Sequence, residues 1–249
     1  MTTEAPGGQG VPPYRRQLEE QLHDLAGEAQ PWALERLDLA ALNFLASGVG
    51  LARCVLSIEQ ASACLPDLLP LSDPESVEDA MIVRESALKA LEQMGQVVTL
   101  LRAWVRGPAP SSVHYGETIR ELFHAFNNML VGINCYSELL LMDLRDGDPA
   151  FGELKLVYDT GSQAARLVRD RAHVQRLLNE LGEAGGQSQF RREHEITQLL
   201  IEALCEGSPL LDDGTVHSPL EIDAHAGALP VIEGRVLREA ARRHATFTE

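Results

Sequence analysis

The sequence predicts a mainly α protein: tandem antiparallel helical hairpins forming a four-helix bundle, followed by a small degenerate α/β segment. Three observations carry that expectation. Aromatic residues make up only 5% of the chain, whereas Leu, Ala, Glu and Arg are abundant, a composition that favours helix over sheet. Apolar residues in the middle of the chain recur at heptad spacing. Finally, a pattern of helix, Asp-Pro turn and helix occurs twice, 75 residues apart.

The elements read in order as follows. Residues 1–13 are polar and rich in Gly and Pro, and are expected to be a disordered tail. A charged amphipathic helix spans Tyr14 to Glu28, and Pro31 can open the next one. Helical patterning continues from Trp32 to Leu69, is broken by Pro70–Pro74, and resumes from Glu75 to Arg106. These segments make an N-terminal helical region over 14–106. Gly107-Pro108-Ala109-Pro110 reads as a linker. A second hairpin, within 113–181, places helices at Glu117 to Arg145 and Pro149 to Leu181, with Asp148 as N-cap and Pro149 in the first turn. After another linker, the segment 189–249 changes character. A helix at Ile196 to Glu206 precedes strand-like stretches at Thr215 to Ile222 and Leu229 to Ile232, then a helix to His244.

The two hairpins align without a gap. Ile58 matches Ile133, Leu65 matches Leu140, Asp73-Pro74 matches Asp148-Pro149, and Ala90 matches Ala165. This spacing suggests a duplication.

Charge and composition narrow the function. A formal net charge of -16 repels nucleic-acid phosphates and anionic lipid. No apolar run of about 20 residues, the length that spans a bilayer, stands out, and the N-terminus lacks the apolar stretch of a signal peptide. Cys54, Cys64, Cys135 and Cys205 lack metal-binding spacing and read as small buried hydrophobes in a reducing compartment, so a cytoplasmic location is expected. None of the histidines shows metal-ligand spacing, and no phosphate-binding Gly-rich loop occurs, so no metal or cofactor of the chain's own is expected.

One histidine stands apart. Ile119, Phe123, Phe126, Leu130, Ile133, Ser137 and Leu140 form a heptad seam, and His124 lies one position beyond it, on the flank of the expected bundle. Asn128 follows four residues on, about 6 Å away on the same face. A neutral imidazole on a rigid helix, with a carboxamide beside it, can act as a nucleophile.

The string Phe123-His124-Ala125-Phe126-Asn127-Asn128-Met129-Leu130, continued by Gly132-Ile133 and Tyr136-Ser137-Glu138-Leu139-Leu140, resembles the H-box of sensor histidine kinases. The resemblance covers the dimerisation-and-phosphotransfer hairpin of that family, from Thr118 to Leu181. It implies that His124 accepts phosphate and that Asn128 assists dephosphorylation of a partner. Asn127, beside Asn128, is a candidate supporting residue, and Glu121, three residues before His124, can partly substitute for a missing acidic neighbour. The partner it implies is a response-regulator receiver domain, which would bring its own Mg. Such a partner needs an exposed nucleophile on a rigid, apolar-rimmed helix, and Phe123, Phe126 and Leu130, flanking His124, are expected to form that rim.

Two departures limit the resemblance. Ala125 stands where the family has an acidic residue. The segment 189–249 looks like the opening of an ATP-binding domain, but its last helix, Gly234 to His244, lacks the family's Asn. The chain is therefore expected not to phosphorylate itself from ATP. Two readings follow: a histidine phosphotransfer protein, or receiver-directed phosphatase, acting through His124; or a non-catalytic scaffold binding a receiver domain or a separate histidine kinase. Tandem hairpins allow a monomeric pseudo-dimer or the family's usual homodimer.

Overall fold

A computed structural model describes residues 13–69, 74–107, 112–145, 147–181, 193–197 and 227–245. The expected tail apart from Pro13, which opens α1, the strand-like stretch Thr215 to Ile222 and Cys205 lie outside the described residues, as does nearly all of the helix expected at Ile196 to Glu206. The described chain is mainly α, with no strand among its residues: α1 (Pro13–Glu28), α2 (Pro31–Leu34), α3 (Leu39–Ser62), α4 (Leu65–Leu68), α5 (Pro74–Arg106), α6 (Ser112–Asp143), α7 (Phe151–Leu181) and α8 (Ala228–Ala245).

The centre of the molecule is α3. Eighteen of its residues are buried, and they go all round the helix. It packs against α5 on one side and α7 on the other, and α6 packs against both α5 and α7. α1 lies on α5, and α8 bridges α1 and α3. Close approach depends partly on glycine: a Cβ at Gly48 of α3 would come within 2.8 Å of Leu101 Cδ1 of α5. The segment Leu39–Leu68 is long and apolar enough to cross a membrane, contrary to the sequence expectation. Its most apolar window is 78% buried in the fold, so its apolarity serves the core.

The helical patterning expected from Trp32 to Leu69 is divided among three helices. Asp38 accepts a hydrogen bond from the Ala41 N–H at 2.7 Å, capping α3 at its start. Pro66 in the first turn of α4 lacks the N–H needed to continue α3. α6 begins at Ser112, earlier than the expected Glu117. At the next turn Asp148 does not cap forward as expected. Its carboxylate accepts from the Arg145 N–H at 2.7 Å, closing the turn behind it, and α7 starts at Phe151. The stretch Leu229 to Ile232, read as strand-like, is the first turn of α8. Ile232, Val236 and Ala240, four apart, are fully buried, which is a helical period.

Burial repeats between the hairpins. Leu122, Phe126, Leu130, Ile133, Ser137 and Leu140 of α6 are buried, and so are the residues 75 positions earlier, Ser47, Leu51, Val55, Ile58, Ser62 and Leu65. In the second helices the register differs by one. Leu154, Val157, Ala164 and Arg171 fall 74 positions after Ala80, Val83, Ala90 and Val97, so the partner of Ala90 is the buried Ala164 rather than Ala165. The gap-free alignment is thus replaced by one that loses a residue at the turn, because the buried face decides the register.

Ion pairs pin α1 to α5. Glu28 accepts from Arg102 at 2.8 Å and from Arg106, and Asp24 pairs with Arg102 at 2.8 Å. Burial alone would raise the Glu28 pKa, but the hydrogen bonds from Arg102 and Arg106 outweigh it and hold the carboxyl below its usual value. The resulting stabilisation is complete above the unfolded pKa and is lost as pH falls through the lower folded value. The urea midpoint should therefore fall more steeply in wild type than in Glu28→Gln as the pH drops below about 4.5. Equal slopes would remove this pair from the acid response. Phe126, fully buried, sets a second expectation. Phe126→Ala should cost about 3–5 kcal/mol in urea unfolding, whereas His124→Ala should change stability by no more than about 0.5 kcal/mol.

Candidate functional site

The heptad seam of α6 turns Phe123, Phe126 and Leu130 into the core, where they are 7%, 0% and 1% exposed. They therefore cannot form the apolar rim expected to face a partner. Their burial instead fixes the rotation of α6 and with it the direction of its outer face. That outer face carries His124, Glu121, Asn127 and Asn128, all exposed, while Ala125 is partly covered. The site residues expected on one helical surface thus do share it, with the apolar trio on the opposite side.

The exposed face continues with apolar residues that the sequence reading passed over. Val131, Leu139 and Met142 are 52%, 54% and 77% exposed, and Cys135 is exposed among them. At about 100° per residue, Val131, Cys135 and Met142 all fall within about 20° of the His124 direction. They extend a stripe about 27 Å along the helix. The signal was present in the sequence as a second series, 124, 128, 131, 135, 139 and 142, running beside the seam. It was hidden because apolar residues at helical spacing are most simply assigned to a core. Cys135 also departs from the expectation that the cysteines are buried. Cys54 conforms to it, and burial pushes its thiol up to about 11.

Behind His124 the core holds an unexpected cation. Arg171 of α7 is 4% exposed. Its guanidinium lies 4.7 Å from the Phe44 ring centroid and 4.8 Å from that of Phe123. Phe44 in turn packs against Trp104 at 4.5 Å and Phe123 at 5.9 Å. One cluster thereby joins α3, α5, α6 and α7 beside the residue preceding His124. Burial holds the Arg171 pKa down at about 9, and the aromatic faces offset part of that cost. Val97 takes the corresponding place in the first hairpin, so the cation is a feature of the hairpin that carries His124.

Among the described residues no group of three or more His, Cys, Asp or Glu side chains could hold a metal ion. Compared with protein-family models, curated proteins and solved structures, the chain has no significant match.

The thiols offer a direct check on these placements. In the native protein Cys135 should react with iodoacetamide within minutes at pH 8, and Cys54 only on unfolding, as followed by peptide mass spectrometry. Early alkylation of Cys54 would mean that α3 is less enclosed than described.

Proposed function

We propose that the protein is a histidine phosphotransfer protein of two-component signalling. His124 would accept phosphate from the aspartyl phosphate of a response-regulator receiver domain and pass it on or discharge it. The observation that carries the reading is the exposed His124, with Asn127 and Asn128 beside it, on a helix anchored by Phe123, Phe126 and Leu130 in the core. The H-box-like string around it supplies the chemistry. In transfer, a neutral ring nitrogen attacks phosphorus, the bond to the aspartyl oxygen breaks, and the carboxylate leaves on the receiver, whose own Mg offsets the developing charge. An acyl phosphate is reactive enough that Ala125, in place of an acidic neighbour, matters less than it would with ATP.

The same reading accounts for the architecture. The cyclic packing of α3, α5, α6 and α7 is what two phosphotransfer hairpins would make if a four-helix bundle closed within one chain. In this reading the hairpin of α3 and α5 has lost its histidine, since Val49 takes the place of His124 and Arg53 that of Asn128. Helix α8, offered in sequence as part of an ATP-binding domain, packs on α1, α2 and α3 instead, which supports a chain without kinase activity of its own. A cytoplasmic location belongs to the same proposal. Ala125 favours a second reading, a scaffold that binds a receiver domain or a histidine kinase without carrying phosphate.

Mixed with phosphorylated receiver domains from its own cell, the protein should acquire acid-labile phosphate or speed its loss from the receiver. His124→Ala should abolish uptake while leaving thermal unfolding unchanged, and Asn128→Ala should slow net dephosphorylation while sparing transfer. Incubation with labelled ATP and Mg should leave the chain unlabelled. If wild type and His124→Ala behave alike with every receiver, phosphotransfer fails and the scaffold reading stands. Sedimentation should give a monomer in dilute solution, and a tight dimer would argue against closure within one chain.

A further inference from the structure

The 75-residue repeat allows the outer face of α6 to be compared with the same face of α3. On α6 the face is open: His124, Asn127, Asn128 and Val131 are all exposed. Their counterparts on α3 are Val49, Ala52, Arg53 and Leu56. Val49 and Ala52 are fully buried, and Arg53 and Leu56 are largely covered.

The cover is α8. At one end, Leu229 and Pro230 face Leu56 across a cavity of about 380 Å³ that Leu22 of α1 also lines. One turn on, Glu233 pairs with Arg53 at 3.1 Å, and both side chains are mostly buried. At the other end, Arg243 donates to the carbonyls of Leu37 at 2.8 Å and Leu34 at 3.1 Å, just before α3 begins. These contacts fix α8 antiparallel to α3. Between these two ends of α8, Val236 and Ala240 are fully buried.

We infer that α8 is the chain's own occupant of the face that, on the second hairpin, carries His124, and that each chain therefore presents one docking face, on α6. The identity of the partner rests on the phosphotransfer reading above; the occupation of α3 does not. Arg53 has a structural role in this arrangement. Where α6 has Asn128 facing solvent, α3 has a cation matched to a carboxylate that α8 brings with it. A buried Glu233 facing no cation would be costly, so the pair sets where α8 lies along α3 as well as holding it there. The consequence is stoichiometric: a two-hairpin bundle that would otherwise offer two equivalent faces offers one.

Alkylation tests occupancy without any receiver. In the full chain with Cys54, Cys64, Cys135 and Cys205 changed to alanine, equivalent positions are converted separately, as Ala52→Cys and Asn127→Cys. N-ethylmaleimide should modify the Asn127→Cys chain faster than the Ala52→Cys chain by about tenfold or more, since the latter must wait for local opening. Adding Glu233→Arg, which sets like charges against Arg53, should bring the two rates together. Exchanging the charges, with Arg53→Glu and Glu233→Arg together, should restore slow modification, and a helical far-UV circular dichroism spectrum with cooperative thermal unfolding in the Glu233→Arg chain separates release of α8 from loss of the fold. Equal rates in the starting chain, or a slow Ala52→Cys rate that Glu233→Arg leaves unchanged, would overturn the inference. Sedimentation with beryllofluoride-activated receiver domains should saturate at one receiver per chain, and two per chain would overturn it as well. If no receiver binds, the phosphotransfer reading falls while alkylation still decides the occupancy of α3.

Discussion

The burial of α3 is the constraint on which the rest of the structure depends. A helix with apolar residues on every side is insoluble in isolation and must be enclosed by other elements. Here α5 and α7 cover two sides, α8 covers a third, and at Gly48 the missing side chain leaves room for Leu101 of α5. Everything outside this shell, including α6, is positioned relative to it. Phe44 makes the link explicit: one α3 ring touches Trp104 of α5, Phe123 of α6 and the Arg171 guanidinium of α7. His124 follows Phe123 in sequence, so its direction is tied to this aromatic contact in the core.

The asymmetry between the two hairpins follows from the same requirement. In the first hairpin both faces of the leading helix are buried, one against α5 and α7 and one by α8. In the second, only the seam is buried, and the outer face keeps a histidine, two carboxamides and a run of exposed apolar side chains. Val131, Leu139 and Met142, at 52%, 54% and 77% exposed, lie together along this one helix. Arg171 is the mirror of this arrangement, a charge placed in the core of the hairpin that has the open face, where the other hairpin has Val97.

Much of this was legible in the sequence. The heptad seam from Phe123 to Leu140 determined which side of α6 is buried, and so predicted that His124 is exposed. The repeat predicted two helical hairpins, although α3, at 24 residues, is shorter than α6, at 32. The errors have physical causes. Asp38 was not read as a cap, because a strong apolar pattern on both sides hid the break that its hydrogen bond to Ala41 creates. Leu229 to Ile232 was read as a strand because four apolar residues carry no reliable period, and only the burial of Val236 and Ala240 further on settles it as helix. The one-residue change of register between α5 and α7 is not legible in the sequence because small and apolar residues stand at neighbouring positions and match in either register.

The sequence by itself determined the helical class, the seam, the exposure of His124 and the absence from its neighbourhood of an acidic residue next in line. These are properties of spacing along one helix, which local geometry fixes without reference to distant residues. Only the tertiary structure decided that Phe123, Phe126 and Leu130 belong to the core, that Arg171 lies between two rings, and that α8 lies along α3 through Arg53 and Glu233. Each of those depends on which helices meet. Contacts between residues up to about two hundred positions apart, such as Arg243 with the carbonyl of Leu37, have no signature in the local pattern of either segment.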